Sequence, residues 1–334
     1  MARASPAPEP ENLRRMSQQP TPPRQQRLPG RFVIGTRASP LAMAQAREFA
    51  GRLMQAHGWA QDELPLDAIV TTGDSIQNRS LAEAGGKGLF TKELDVAQLA
   101  GTIDFAVHSS KDLQTRLPDG LVVGGYLPRE DARDALISRG IARVADLPQG
   151  AVIGSASLRR QAMLRRSRPD LQVVLLRGNV ARRMEKVASG EIDATLLALA
   201  GLRRLGLEDK ASGILALEES LPAVGQGAIG ITIRADDAAA IAALAPVICR
   251  DTGFAVTAER AFLAEVDGSC RMPIAGHAVV TGDLVHLRGL LLSPDGSASA
   301  EGERHGSVTD AAKLGADLGR ELRARAPAGI YDPA

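Results

Sequence analysis

The spacing of apolar and polar positions predicts short strands alternating with helices along most of the chain. Buried strands are predicted at residues 31–36, 66–70 and 103–107. A helix with apolar positions at helical spacing is predicted from Pro40 to about His57, with Ser39 as its cap and Pro40 in its first turn. Because strands that alternate with helices pair in parallel, this pattern predicts a doubly wound α/β sheet.

A second α/β unit is predicted after a charged segment, Pro128–Asp134, which we interpret as an interdomain crossover. Its strands are predicted at residues 151–154, 171–176 and 194–198. Arginines follow each strand where the next helix is expected to begin: Arg159 and Arg160, then Arg177, Arg182 and Arg183, then Arg203 and Arg204. Cations at a helix N-terminus oppose the helix dipole, so this repeated placement favours a site for anions, carboxylates in particular.

The last part of the chain predicts a return crossover and a small third domain. Residues 220–228 are rich in Pro and Gly and precede a strand at 229–234 and a helix at 236–245. A helix at 252–266, strands at 274–281, 284–293 and near Ala300, and a helix at 309–326 follow. We therefore predict domain 1 at 31–128 and 228–248, domain 2 at 129–227, and an α+β domain 3 at 249–334. The first 30 residues are rich in Pro, Gln and Arg and are predicted to be disordered.

Composition narrows the classes of function. The 334 residues are 44% hydrophobic and carry a net charge of +1, so no bulk attraction to nucleic acid or membrane is expected. Positive charge is concentrated at 151–204, where eleven basic and four acidic residues give a net +7. With two cysteines, no membrane-spanning apolar run and no secretory signal, we expect a cytoplasmic protein. The five histidines have no metal-ligand spacing, so no metal site is predicted.

Candidate chemistry lies at two strand ends and in one loop. Arg37 and Ser39 follow the first strand, and Lys111 and Asp112 follow the strand at 103–107, where α/β sheets bind ligands. Cys270 follows Gly268 and Ser269 and precedes Arg271, a setting that favours an accessible thiolate, although an incidental loop cysteine is the alternative. Cys249 lies in an apolar run and is predicted to be a buried core residue.

Several motifs, in one order from about Arg31 to the C-terminus, resemble the porphobilinogen deaminase family. They are Thr36-Arg37-Ala38-Ser39-Pro40-Leu41-Ala42, Gly85-Gly86-Lys87-Gly88-Leu89-Phe90, His108-Ser109-Ser110-Lys111-Asp112, Ser157-Leu158-Arg159-Arg160-Gln161, Leu176-Arg177-Gly178-Asn179-Val180, Leu221-Pro222-Ala223-Val224-Gly225-Gln226-Gly227 and the Cys270 loop. Many members have Gly-Gly before the cysteine, where this chain has Gly268 and Ser269.

The resemblance implies two domains like periplasmic binding proteins, a small third domain, and a monomeric transferase of porphyrin and haem biosynthesis. Such an enzyme condenses four porphobilinogen molecules head to tail with release of ammonia, and hydrolysis frees hydroxymethylbilane. A dipyrromethane cofactor is implied, joined by a thioether to Cys270. By motif position the cofactor's carboxylates are held by Lys111, Ser157, Arg159, Arg160 and Arg177. The substrate is faced by Arg37, Ser39, Arg183 and Arg204, with Arg182 as the alternative to Arg183. Asp112 matches the catalytic aspartate.

Two other functions stay open on the sequence. A solute-binding protein of the same two-domain class would bind a carboxylate ligand without chemistry, although the third domain with Cys270 disfavours it. A nucleic-acid-binding module could use the +7 segment, but two Tyr, one Trp and six Phe offer few stacking platforms.

Overall fold

The computed structural model describes residues 32–75, 88–266, 272–327 and Ile330 of the chain. The predicted disordered tail, residues 76–87 and the Cys270 loop lie outside the described residues. Within the described ranges no helix is long and apolar enough to cross a membrane.

Thirteen strands are formed by the described residues. They are β1 (Ile34–Arg37), β2 (Leu66–Ile69), β3 (Phe105–Ser109), β4 (Leu121–Tyr126), β5 (Asp134–Ser138), β6 (Val152–Gly154), β7 (Gln172–Val174), β8 (Ala194–Ala198), β9 (Gly213–Ile214), β10 (Ile229–Arg234), β11 (Ile274–Thr281), β12 (Leu284–Leu292) and β13 (Ser299–Ser307).

Nine α-helices are formed by the same ranges. They are α1 (Pro40–His57), α2 (Thr72–Ser75), α3 (Lys92–Leu99), α4 (Leu158–Ser167), α5 (Val180–Ala188), α6 (Leu199–Arg204), α7 (Ala238–Leu244), α8 (Arg250–Glu265) and α9 (Ala311–Arg325). Helix α1 begins as predicted: Pro40 occupies its first turn and the Ser39 hydroxyl accepts a hydrogen bond from the Ala42 N–H.

The first two sheets share one strand order. The first sheet runs β2-β1-β3-β10-β4 and the second runs β7-β6-β8-β5-β9. In each sheet the first three strands of this order are parallel to one another. The fourth strand runs antiparallel to the third and lies next to a crossover in the chain; it is β10 in the first sheet and β5 in the second. Each sheet is doubly wound, and the third sheet, β11-β12-β13, packs on α8 and α9. This confirms the predicted fold class, while the domain boundaries stay a prediction.

Two elements differ from the sequence prediction. Strands β5 and β9 were not predicted. Strand β5 begins at Asp134, inside the charged segment that we interpreted as an interdomain crossover, and β9 has only two residues. Arg203 and Arg204 were expected at the start of a helix, but they lie in the last turn of α6. Cations in the last turn of a helix interact favourably with the helix dipole. The prediction that Arg203 and Arg204 begin a helix was therefore wrong.

Candidate active site

Arg37 and Asp112 meet at the carboxyl edge of the first sheet. Strands β1 and β3 are parallel neighbours, so their carboxyl ends lie side by side. Arg37 is the last residue of β1, and Asp112 ends a 3-10 turn that directly follows β3. Arg37 Nη1 lies 3.7 Å from Asp112 Oδ2, and the Asp112 side chain is 30% exposed. The predicted pair is therefore brought together with its carboxylate open to solvent.

Arg37 is held in place by two residues to which the sequence analysis assigned no role. Its guanidinium donates two hydrogen bonds to the Asp74 carboxylate and lies over the Phe90 ring, 4.2 Å from the ring centroid. Asp74 accepts a further hydrogen bond from the Thr71 hydroxyl at 2.8 Å. Burial alone would raise the pKa of Asp74, but Arg37 and Thr71 lower it below its usual value. Asp74 lies in α2, for which the sequence analysis predicted no element, so the sequence offered no signal of this pairing.

The return crossover presses against the turn that carries Lys111 and Asp112. The Ser110 N–H donates to the Ala228 carbonyl at 2.9 Å. Gly225 has a φ of +73°, and a Cβ there would lie 2.5 Å from the Ser110 hydroxyl oxygen. The crossover therefore needs glycine at position 225 in order to pack this closely against the turn that carries Lys111 and Asp112.

The two arginines in the first turn of α4, Arg159 and Arg160, both form ion pairs with a buried carboxylate of the protein, that of Asp134. Ser157 caps the helix, and Arg159 and Arg160 are both buried. Arg159 Nη2 lies 2.8 Å from Asp134 Oδ2, and Arg160 Nη2 lies 2.7 Å from Asp134 Oδ1. Both Nε atoms are buried and have no hydrogen-bond partner among the described residues. Each guanidinium therefore has one N–H donor, at Nε, that is not used by the described residues, while Asp134 balances part of the positive charge.

Asp134 is a central residue of this region that the sequence analysis did not identify. Its carboxylate is fully buried and accepts hydrogen bonds from Ser220 Oγ at 2.9 Å and Gln226 Nε2 at 2.7 Å, as well as from Arg159 and Arg160. Burial alone would raise the pKa of Asp134, but the two guanidiniums hold it far below its usual range. Because four donors converge on it from two segments, Asp134 fixes the wall of the site.

Lys111, Arg177 and Arg183 add positive charge to the same region. Desolvation of the Lys111 ammonium group, together with the nearby charge of Arg160, lowers its pKa to about 8. Desolvation, with Arg160 and Arg177, lowers the pKa of Arg183 to about 10, and desolvation also lowers that of Arg177. The negative charge of Asp112 acts in the opposite direction and raises the pKa of both Lys111 and Arg183, which offsets part of the lowering. Crowded cations of this kind are stabilised by an incoming polycarboxylate.

Two arginines that the sequence left ambiguous have distinct positions. Arg183 is half-buried and donates to the Gly178 carbonyl at 2.8 Å, whereas Arg182 is exposed. Arg204 donates to Glu48 Oε2 at 3.0 Å and to the Gly227 carbonyl at 3.1 Å, and its side chain is 9% exposed. Arg183 therefore belongs to the cation cluster, and Arg204 joins α6 to α1 and to the return crossover.

Cys270 lies outside the described residues, but the helix that leads to its loop is firmly anchored. Glu259 of α8 is fully buried and pairs with Arg129 at 2.6 Å. It also accepts the Gly225 N–H at 2.6 Å and the Ala278 N–H at 2.7 Å. Cys249, predicted to be buried, is half-buried at the start of α8. Helix α8 thus contacts both crossovers, with Glu259 as the common acceptor.

Comparisons with known proteins cover nearly the whole described chain. A family model described as porphobilinogen deaminase, dipyromethane cofactor binding domain, matches residues 32–242, and one described as porphobilinogen deaminase, C-terminal domain, matches 254–324. The porphobilinogen deaminase of Nitrobacter hamburgensis is 57% identical over 294 residues, which are 88% of this chain and 93% of the relative. That of Paracoccus denitrificans is 54% identical over 299 residues, 90% of this chain and 96% of the relative.

A solved structure, a putative methionine-binding lipoprotein from Bacillus subtilis, has a TM-score of 0.42 and 14% identity, covering 67% of this chain and 92% of its own. This likeness is too weak to bear on function. The sequence matches are decisive: the chain belongs to the porphobilinogen deaminase family of tetrapyrrole biosynthesis.

Proposed function

We propose that the chain is a hydroxymethylbilane synthase, a transferase that condenses four porphobilinogen molecules head to tail, releases ammonia, and frees linear hydroxymethylbilane by hydrolysis. The observation that carries this proposal is Asp112, a solvent-accessible carboxylate beside Arg37 and within the field of Lys111 and Arg183. We further propose that the enzyme acts as a cytoplasmic monomer, with no nucleic acid or membrane as a partner.

The charge of the site suits the substrate. Porphobilinogen carries an acetate and a propionate, so a growing chain is a dense polycarboxylate that fixed guanidiniums can bind bidentately. We assign Arg37, Ser39 and Arg183 to the incoming substrate. Arg204 is assigned with them, and its role would require that a substrate carboxylate take the place of Glu48, to which it is now bonded.

The residues also fit a dipyrromethane cofactor, which we propose is attached by a thioether to Cys270. Its carboxylates would be held by Lys111, Ser157, Arg159, Arg160 and Arg177. The unpartnered Nε donors of Arg159 and Arg160, counted within the described residues, and the depressed pKa of Lys111 support this assignment. When bound, the cofactor supplies the pyrrole carbon to which the first substrate ring is joined.

Asp112 acts on charge that develops in the substrate. Loss of ammonia from the aminomethyl group leaves a positive charge that spreads onto the substrate's ring nitrogen. A carboxylate that accepts a hydrogen bond from that N–H stabilises the charge where it appears. Asp112 can also take part in proton movement at the departing amine. Arg37, which is itself fixed by Asp74, keeps the carboxylate oriented toward the cleft.

Covalent labelling tests this proposal directly. Purified protein from cells that make tetrapyrroles should react with Ehrlich's reagent, and its intact mass should exceed the mass of the polypeptide. Cys270→Ser should lose both signals, whereas Cys249→Ser is the matched control and should keep them. Unmodified protein without deaminase activity would refute the proposal and favour a solute-binding role. Steep salt dependence of binding to nucleic acid would support the basic-module alternative instead.

A further inference from the structure

Two histidines and a glutamate come together on the third sheet, although their positions in the sequence showed no metal-ligand spacing. Strands β12 and β13 are antiparallel, and His286 is paired directly with His305 in their register. Glu303 lies two residues before His305, so its side chain projects from the same face of β13. The sheet register therefore creates a cluster that a search for local motifs does not detect.

The potential ligand atoms of this cluster have the spacing of a coordination shell. The imidazole rings are stacked with centroids 4.0 Å apart and planes inclined by 7°. His286 Nε2 lies 3.0 Å from Glu303 Oε2, and His305 Nε2 lies 3.7 Å from Glu303 Oε1. One ligand atom from each residue lies within 4.8 Å of the other two. Ligands bonded at about 2.0–2.1 Å to a tetrahedral ion are roughly 3.3 Å apart. Because the lone pairs of the stacked rings lie in nearly parallel planes, ion binding requires that at least one imidazole rotate out of the stack, and the exposed His305 ring has room to do so.

The backbone that carries the cluster is rigid. Val285 and Leu287, the neighbours of His286 along β12, are fully buried in the core between the third sheet and helices α8 and α9. The nearest basic side chain in the register, Arg288 opposite Glu303, is bonded to Glu218 at 3.1 Å. Glu303 is therefore available to the two imidazoles on a preformed surface.

We propose that His286, Glu303 and His305 form a surface site for a divalent transition-metal ion of the zinc class. Two imidazoles and one carboxylate suit Zn²⁺, Ni²⁺ or Cu²⁺, whereas Mg²⁺ and Ca²⁺ require mainly oxygen ligands. Three protein ligands leave a position for water on the solvent side. The site is independent of the proposed catalytic function and lies on a different sheet from Asp112 and Asp134.

The proposal is tested by titrating the complete, cofactor-loaded enzyme with Zn²⁺ in a non-chelating buffer. Calorimetry should detect one saturable site, and side-chain NMR should show that two of the five histidines shift. His305→Gln and Glu303→Gln should each weaken Zn²⁺ binding at least about tenfold. Glu301→Gln, an exposed glutamate on the same strand and face, is the matched control and should keep the wild-type affinity. Mg²⁺ should produce no saturable binding.

Two further measurements keep the outcome decisive. The three side chains are partly or fully exposed, so their replacement should leave the thermal midpoint of the metal-free enzyme unchanged, and lost binding will not reflect unfolding. Co²⁺ should give a tetrahedral d–d spectrum without a sulfur-to-metal charge-transfer band. Zn²⁺ binding that persists in His305→Gln, a sulfur-to-cobalt band, or the absence of a saturable site would each overturn the proposal.

Discussion

Asp112 and Asp134 are both carboxylates beside arginines, and the difference in their burial separates their roles. Asp112 is 30% exposed and lies 3.7 Å from Arg37. Asp134 is fully buried and receives hydrogen bonds from Arg159, Arg160 and two further side chains. A carboxylate that is saturated by internal donors is not available to a substrate, so of these two carboxylates Asp112 is the one to which we assign charge stabilisation in the proposed reaction.

Asp112→Asn should leave the covalent cofactor in place and lower kcat by roughly 100-fold or more, because the substrate cation loses its stabilising charge. Cofactor content by Ehrlich's reagent and steady-state rates are the measurements. Asp119→Asn, an exposed aspartate beyond the same turn, should retain normal rates. A rate for Asp112→Asn within a fewfold of wild type would refute the role.

Asp134→Asn should destabilise the fold by about 3–5 kcal/mol, since it leaves two buried guanidiniums without their anion. Urea unfolding measures this loss. Asp131→Asn, in the same crossover and paired with the more exposed Arg133, should cost less than about 1 kcal/mol. Because the pKa of Asp134 is lowered in the folded state, its stabilising effect is present above its ordinary pKa of 3.8 and is lost as pH falls below it. Equal losses in the two variants would contradict this account.

Sequence reasoning succeeded at the residue scale where the interaction is local. The cap formed by Ser39 and the turn that places Lys111 and Asp112 after a strand both depend on neighbouring residues. The pairing of Asp134 with Arg159 and Arg160 joins residues that are far apart in the chain, and Asp74 meets Arg37 in the same way. No periodicity or spacing encodes such partners, because the topology of the sheet decides them.

At the scale of elements, the return crossover packs against the turn that carries Lys111 and Asp112. Its sequence was identified as Pro/Gly-rich, but the reason for glycine at 225 is the close approach of Ser110. The strand that precedes it in the second sheet, β9, has only two residues, and β5 begins with a charge. Short or charged strands give weak alternation, which explains why both were missed.

Gly225→Ala should destabilise the protein by about 1–3 kcal/mol and lower kcat, because the new methyl group strains a left-handed residue and displaces Ser110. Gly253→Ala in α8 is the control: its Cβ would meet nothing within 4 Å, so it should be neutral or stabilising by up to about 1 kcal/mol. Urea unfolding and turnover rates distinguish them, and unchanged turnover in Gly225→Ala would show that the crossover does not position the turn.

At the scale of the whole molecule, Arg129 and Glu259 join all three sheets. Arg129 follows the first sheet, bonds the Gln226 carbonyl of the return crossover at 2.9 Å, and pairs with Glu259 under the third sheet. Gln226 in turn bonds Asp134 at the start of the second sheet. The relative placement of the sheets therefore depends on one continuous set of buried polar contacts.

Arg129→Met should destabilise the enzyme by about 3–5 kcal/mol, because Glu259 would remain buried without its main cation. The control is Arg320→Met, which removes the ion-pair partner of Glu265, a residue that lies on α8 as Glu259 does. Because this pair is exposed, a loss of stability below about 1 kcal/mol is expected. Chemical unfolding of the two variants provides the comparison. A small effect of Arg129→Met would mean that the sheets are held together by other contacts.

The strand order of the first sheet also has a consequence for synthesis on the ribosome. Strands β3 and β4 are separated in space by β10, which follows them in the chain only after the whole second sheet. Translation of the roughly 100 residues between β4 and β10, at about 5–20 residues per second, takes several seconds. Throughout that interval, in which the strands of the second sheet are made, the nascent first sheet has unpaired edges. The first sheet is thus begun first but completed only after the second sheet, and its edges are open to pairing with other chains until β10 has been made.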